Sequence, residues 1–296
     1  MKKPIFTGVS TALITPFLGD KLNYPLVLQL IQRQLDAGIT SITLAGTTGE
    51  APTLSDEEKI ELFRVAKDFV GNRCKIIAGT GTNNTKHTIA LSQAAQDVGV
   101  DGLLVVSPYY NKANADGLYT HYASVSKSVD LPMIIYNVPS RTGVDIPVSV
   151  YKQLSTLENI SGIKEASADM SKQLKTHAIC GSGLSIWSGN DDQVVPTIAL
   201  GGKGVISVLS NICPLEVNAM TQAALNGDFK SATALQRHLL ELYELMFADI
   251  NPIPVKFAMK CLGYDCGNCR LPLSTPSISL QNQIRAYLQS AKRAPE

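Results

Sequence analysis

Eight short apolar runs, evenly spaced along the chain, constrain its fold more than any other feature. They read "GVSTALITPF", "SITLAGTTGE", "KIIAGTG", "GLLVVSPYY", "PMIIYNVPS", "ISGIKEAS", "SIWSGND" and "GVISVLSN", beginning at residues 8, 41, 75, 102, 132, 160, 185 and 204. The average step of 28 residues is the length of one strand–helix unit. Several runs are almost wholly Val, Ile, Leu and Ala, as parallel strands covered on both faces must be. Between them lie helical patterns such as "YPLVLQLIQRQLDAG", and "SDEEKIELFRVAKDFVG" opens on a Ser55–Glu58 capping box and closes on a glycine. Eight alternating units predict an α/β fold, a (β/α)8 TIM barrel. An open doubly wound sheet is the alternative, but its Gly-rich first turn is missing from "STALITPF". The barrel is expected over residues 1–226. Residues 227–296 form a C-terminal helical extension, with helices over 228–247, 253–263 and 278–292.

At 296 residues a single barrel accounts for the length, and 45% hydrophobic residues supply its core. A net charge of +1, with no run of five or more like charges, argues against a nucleic-acid partner. The closing "AKRAPE" is expected to be a solvated tail. The opening "MKKPIFTGVSTALITPF" is interrupted by Pro4, Gly8, Ser10 and Thr11, unlike a secretory signal, and no run is long enough to span a bilayer. A cytoplasmic location is expected. Its six cysteines are then expected to be reduced. Cys261, Cys266 and Cys269 in "CLGYDCGNC" lack an evident fourth ligand, so three loop thiols are a better reading than a metal centre. His87, His121, His177 and His238 show no pair at ligand spacing.

In such a barrel, chemistry collects where the strands end. There the sequence puts Thr47 and Thr48, Tyr109 and Tyr110, Tyr136 and Arg141, Lys164, and Gly189 with Asn190. The "GG" at 201–202 precedes strand 8, at the wrong end for a phosphate cradle. Alternation sets Ile160, Gly162 and Lys164 on one face and Ile163 on the other; with Ile163 against the helices, Lys164 points into the mouth. A bulge in the strand would spoil that parity. A desolvated lysine among neutral hydroxyls loses its proton more readily, and a free amine forms Schiff bases with carbonyls. The competing reading, an ion pair with Glu165, sits poorly with neighbours that point to opposite faces, and leaves Glu165 without a role. Tyr136 is either a proton-passing phenol or a packed aromatic. "GTTGE" is either a pair of amides that hold a carboxylate or a plain turn. Arg141 is either a carboxylate clamp or a surface arginine.

Taken together and in order, "GTTGE", "SPYYN", "YNVPSRTG", "GIKEAS" and "GVISV" resemble the dihydrodipicolinate synthase family, and the likeness runs on to "RLPLS" at 270–274. The resemblance implies a class I aldolase-type enzyme that condenses pyruvate with L-aspartate 4-semialdehyde on the way to lysine. Lys164 would carry pyruvate as a Schiff base, with no other cofactor and no metal. Thr47, Tyr136 and Tyr110 would relay protons, Tyr110 reaching a neighbouring subunit's site. The Thr47 and Thr48 amides would hold the pyruvate carboxylate, Gly189 and Ile206 would line its pocket, and Arg141 would grip the semialdehyde. A homotetramer, built as a dimer of dimers, is implied. Related sugar-acid lyases share the lysine and the tyrosine; Arg141 and the Tyr109–Tyr110 pair favour the synthase. A catalytically silent relative would be expected to lack Lys164 or Tyr136. In lysine-inhibited relatives the inhibitor sits near positions matching Ala51, Lys59, Gly81, Asn83, His87 and Tyr109. Ala51 replaces a serine there, Lys59 a histidine and His87 a glutamate, so weak or absent inhibition by lysine is expected.

Overall fold

The structure, a computed structural model, describes residues 2–291. Eight parallel strands close into a barrel: β1 (Gly8–Ala12), β2 (Ser41–Leu44), β3 (Lys75–Gly79), β4 (Gly102–Val106), β5 (Met133–Asn137), β6 (Ile160–Glu165), β7 (Ser185–Ser188) and β8 (Gly204–Ser207). Each strand pairs with the next, and β8 returns to β1 through Gly8–Gly204 to Thr11–Ser207. Each occupies the opening part of one apolar run of the sequence, and the rest of the run leads into the connection that follows. A two-stranded ribbon, Phe17–Leu18 with Lys21–Leu22, follows β1.

The helices outside the barrel form where the sequence supplies caps. Asn23 caps α1 (Tyr24–Asp36), and the Ser55–Glu58 box caps α2 (Asp56–Val70), which ends at Gly71. Asn84 caps α3 (Thr85–Val98) and Asn114 caps α4 (Ala115–Ser126). Short α5 (Pro139–Thr142) and α6 (Val148–Leu154) follow β5, and α7 (Met170–Cys180), α8 (Val194–Ala199) and α9 (Pro214–Leu225) complete the ring.

Apolar side chains sort into two cores. The larger fills the layer between strands and helices; the smaller fills the barrel interior with Phe6, Ile77, Leu104, Ile134, Tyr136, Trp187 and Ile206. Phe6 stacks on Trp187, with ring centroids 4.9 Å apart. Beside β6, Lys2 Nζ donates to the carbonyls of Ser155, Leu157 and Ile160 at 2.8, 2.5 and 2.9 Å.

Two expectations need correction. Ile160 belongs to the outer core, on the face of Ile163 and not that of Lys164. The β5–β6 register slips there: Met133 pairs with Ile160 and Ile134 with Gly162, so Ser161 is the extra residue of a bulge. Alternation resumes at Gly162, which leaves the inward aim of Lys164 intact. Gly162 itself is obligatory, because a Cβ there would lie 2.1 Å from the Ser185 carbonyl oxygen. The helix expected over 228–247 is two, α10 (Phe229–His238) and α11 (Leu240–Phe247), broken at Leu239, where ψ opens to −4°. Extension helices α12 (Ile253–Cys261) and α13 (Ile278–Ser290) follow. The "AKRAPE" tail from residue 292 lies outside the described residues. No helix among the described residues is long and apolar enough to cross a membrane.

Candidate active site

β5 and β6 present their inward residues side by side at the barrel mouth. Tyr136 pairs in register with Lys164, and Lys164 Nζ stands 4.3 Å from the centre of the Tyr136 ring. Both side chains are buried, Lys164 being 5% exposed. Among the described residues the amine has neither a hydrogen bond nor a salt bridge; an aromatic face receives it, and the buried Asp191 carboxyl feels its charge from farther off. Glu165, the partner considered from sequence, faces the outer side of the same wall, so the parity argument against that pair holds.

The loop after β2 supplies the next part. Glu50 donates its N–H to the Thr47 carbonyl at 3.1 Å, closing the turn in a left-handed conformation at φ 57°. The Thr47 and Thr48 N–H groups have no protein partner among the described residues, which leaves two donors for an anion. Arg141, on α5, donates to the Asn251 carbonyl at 3.1 Å and remains exposed. Gly189 follows β7 and donates its N–H to the Glu165 carbonyl at 2.7 Å; a Cβ there would meet Ala166 at 2.7 Å. Ile206 is wholly buried in the interior core with Tyr136.

A cavity of about 430 Å³ opens over Thr47, Tyr136 and Arg141 and continues past Ala51, Lys59, Gly81, Asn83, His87 and Tyr109. Thr47, Tyr136 and Arg141 thus share one continuous space with the six residues matched to the inhibitor site, whereas Lys164, Thr48, Gly189 and Ile206 are not in its lining. Tyr110 is not part of its lining. It is 91% exposed, at φ 73°, and the chain's own fold does not bring it to Lys164.

Sequence reasoning missed four groups here. Asn251, from the extension, donates to Thr48 Oγ1 at 3.0 Å while its carbonyl receives Arg141, so one residue braces both arms of the mouth. Lys256 on α12 reaches Glu50 Oε1 at 2.8 Å and the Asn268 carbonyl at 3.1 Å, with both charged ends buried. Asp191, wholly buried, accepts from Ser207 Oγ and from the Val208 and Leu209 N–H groups at 2.8 and 3.2 Å. Burial pushes its carboxyl up, against those hydrogen bonds and the positive charge of Lys164. Asp56 lies in the same cavity, where His87 Nε2 sits 2.6 Å and Lys59 Nζ 3.5 Å from its oxygens. Burial opposes its ionisation, but the His87 and Lys59 contacts outweigh that and hold the carboxyl below the usual range. The "GND" run was the signal for Asp191; the other three depend on contacts that spacing does not reveal. Cys266 and Cys269 are no reactive pair: burial pushes both thiols up to about 12.

Residues 5–291 match the family model described as the dihydrodipicolinate synthetase family. The chain belongs to that family. It is 44% identical to the 4-hydroxy-tetrahydrodipicolinate synthase of Acetivibrio thermocellus over 274 residues, 93% of each chain. The crystal structure of dihydrodipicolinate synthase from Aquifex aeolicus superposes with a TM-score of 0.97 at 41% identity, over 98% of this chain and all of that one. The synthase of Cyanidioschyzon merolae, solved with lysine bound, superposes at 0.95 with 35% identity, over 98% and 99% of the two chains. The fold and family expected from the sequence are therefore borne out.

Proposed function

We infer that this protein condenses pyruvate with L-aspartate 4-semialdehyde to give 4-hydroxy-tetrahydrodipicolinate, with Lys164 as the covalent carrier. The observation that carries the reading is the unpaired, buried Lys164 amine over Tyr136, beside the open Thr47–Thr48 amides, in a chain of this family.

The chemistry follows from those groups. The pyruvate carboxylate docks on the Thr47 and Thr48 N–H groups, and the Lys164 amine adds to C2. Loss of water leaves a protonated iminium, an electron sink that acidifies the pyruvate methyl group. Removal of one methyl proton gives an enamine, whose carbon attacks the aldehyde carbon of the second substrate. The resulting alkoxide takes up a proton. The α-amine of the semialdehyde then adds to the iminium carbon, expels the Lys164 amine and closes the ring. Every step moves a proton, and hydroxyls without fixed charge can give and take in turn. In this reading Tyr136 and Thr47 carry that relay. Arg141 holds the semialdehyde carboxylate, an orientation effect that brings its amine to the iminium.

The exposed, left-handed Tyr110 fits a role in a second copy of the chain, completing that copy's relay in a homotetramer. The Lys164 amine serves as the only cofactor in this reading. The reaction's small polar substrates, and cysteines that form no disulfide among the described residues, fit the cytoplasm. Inhibition by lysine is expected to be weak. The ligand's ammonium would have to compete with Lys59 and His87 for Asp56, a carboxylate the sequence reading did not count. Half-inhibition at submillimolar lysine would reject that statement.

Product assays test the main reading. Purified protein is expected to consume pyruvate only when L-aspartate 4-semialdehyde is present and to form the cyclic product. Cleavage of N-acetylneuraminate in place of that condensation would overturn it.

A further inference from the structure

The wall that carries Lys164 and Tyr136 has a second polar pair on its other side. Asn137 and Glu165, the next residues of β5 and β6, stand in register with each other just as Tyr136 and Lys164 do. They face outward, both buried. Glu165 Oε1 accepts from Asn137 Nδ2 and from the Ser167 N–H, each at 2.8 Å, and Oε2 accepts from the Tyr151 hydroxyl at 3.3 Å. Asn137 Nδ2 also reaches Asp145 at 2.8 Å, and Asn137 Oδ1 accepts from the Ile146 N–H at 3.1 Å. Lys172, itself bonded to Asp145, closes the group with its amine 4.0 Å from Glu165.

These bonds tie together the segments whose relative placement sets the chemistry. Glu165 holds the end of β6 and the first turn after it; Asn137 holds the end of β5 and the loop that returns from Arg141. A carboxylate is an acceptor with several lone-pair sites, and the donors around Glu165 use both of its oxygens. Glutamine would keep the volume but remove the charge, reverse the bond with the Tyr151 hydroxyl, and point an N–H toward the Lys172 amine, which can only donate. With one side of the wall anchored to α6 and α7, the other is rigid enough to hold an amine over a ring.

Resting on the reading of Lys164 as the carrier, we propose that Glu165 is a positioning residue, which acts through Asn137 to hold Lys164 over Tyr136. A misplacement of about 1 Å costs on the order of 100-fold in rate.

The test is the time course of borohydride trapping with pyruvate in single turnover, on wild type and Glu165→Gln, with thermal midpoints measured alongside. Lys2→Met, which removes a bond to the opposite end of the same strand, is the control for lost stability. The expected result is a wild-type adduct on Lys164 that forms at least about fivefold more slowly in Glu165→Gln. A smaller slowing overturns the proposal. So does a slowing matched by Lys2→Met at an equal loss of thermal midpoint, since that would be the effect of stability alone. Should Glu165→Gln fail to fold, Tyr151→Phe removes one donor and no charge; at least twofold slowing is expected, and less overturns the proposal. A normal wild-type adduct with an unaffected variant defeats only this inference. A wild-type adduct elsewhere, or none, defeats the reading of Lys164 and this inference with it.

Discussion

Two buried lysines, Lys164 on β6 and Lys256 on α12, are treated differently. Lys256, under the extension, is 2% exposed and fully partnered, with Glu50, the Asn268 carbonyl and the Phe17 ring at 4.2 Å around its amine. Lys164 is nearly as buried, yet among the described residues its amine has the Tyr136 ring and no hydrogen bond or salt bridge, with the Asp191 charge acting only from farther off. Burying a charge is costly unless it is paired. The first lysine meets that cost with a carboxylate and holds the Thr47–Glu50 turn to the extension. The second is left unpaired, and its amine is free to react. Burial alone does not distinguish a structural lysine from a reagent; the partner set does.

The sharpest way to break the comparison is to remove each amine. Lys164→Met is expected to lower turnover by about 10⁴-fold or more, as loss of a covalent nucleophile does, without lowering the unfolding midpoint. A folded variant that retains a tenth of wild-type activity would contradict it. Lys256→Met should do the reverse. It leaves the buried Glu50 carboxylate with the Arg270 N–H at 2.8 Å but without its paired charge, and is expected to cost about 3–5 kcal/mol in denaturant unfolding, a loss that Glu50→Gln in the same chain should partly restore.

The sequence reveals one of these lysines and conceals the other, for a physical reason. Lys164 stands in an apolar strand, where two-residue alternation reveals its direction; even the bulge at Ser161 falls upstream of it. Lys256 lies in a helix whose partner is 206 residues away in the chain, and nothing local marks that contact. Asn251, 203 residues from Thr48, is hidden in the same way. The bulge moved Ile160 to the outer face because strand parity counts residues and cannot sense an insertion. Glu165 looked unemployed because its donors come from β5, α6 and its own following turn. The strand order and the mouth residues were legible because they repeat with the period of the fold; what was not legible is the bracing behind them.

Tyr136→Phe sharpens the comparison from the other side. It keeps the ring under Lys164 and removes the hydroxyl, and is expected to lower turnover by about 10²–10³-fold with trapping by borohydride still possible. If turnover is unchanged, the tyrosine is only a floor for the amine.

His121 offers a smaller contrast, a buried base kept neutral. It bridges to Thr85 Oγ1 at 2.9 Å, and burial lowers its pKa to about 4. The unfolded chain takes up this proton near pH 6.5 and the folded chain only near 4, so folding stability falls as pH drops through that window. The loss reaches about 3 kcal/mol at the lower end, and His121→Asn should flatten that part of a stability–pH curve. A slope unchanged by the substitution would show that other groups carry it.

The difference between the two lysines is most directly tested by what pyruvate marks. Wild-type protein is incubated with pyruvate, reduced with borohydride, digested and mapped by mass spectrometry. A reduced pyruvate adduct on Lys164, with Lys256 unmodified, is the predicted result. An adduct on Lys256 or any other lysine, or none at all, would contradict the account.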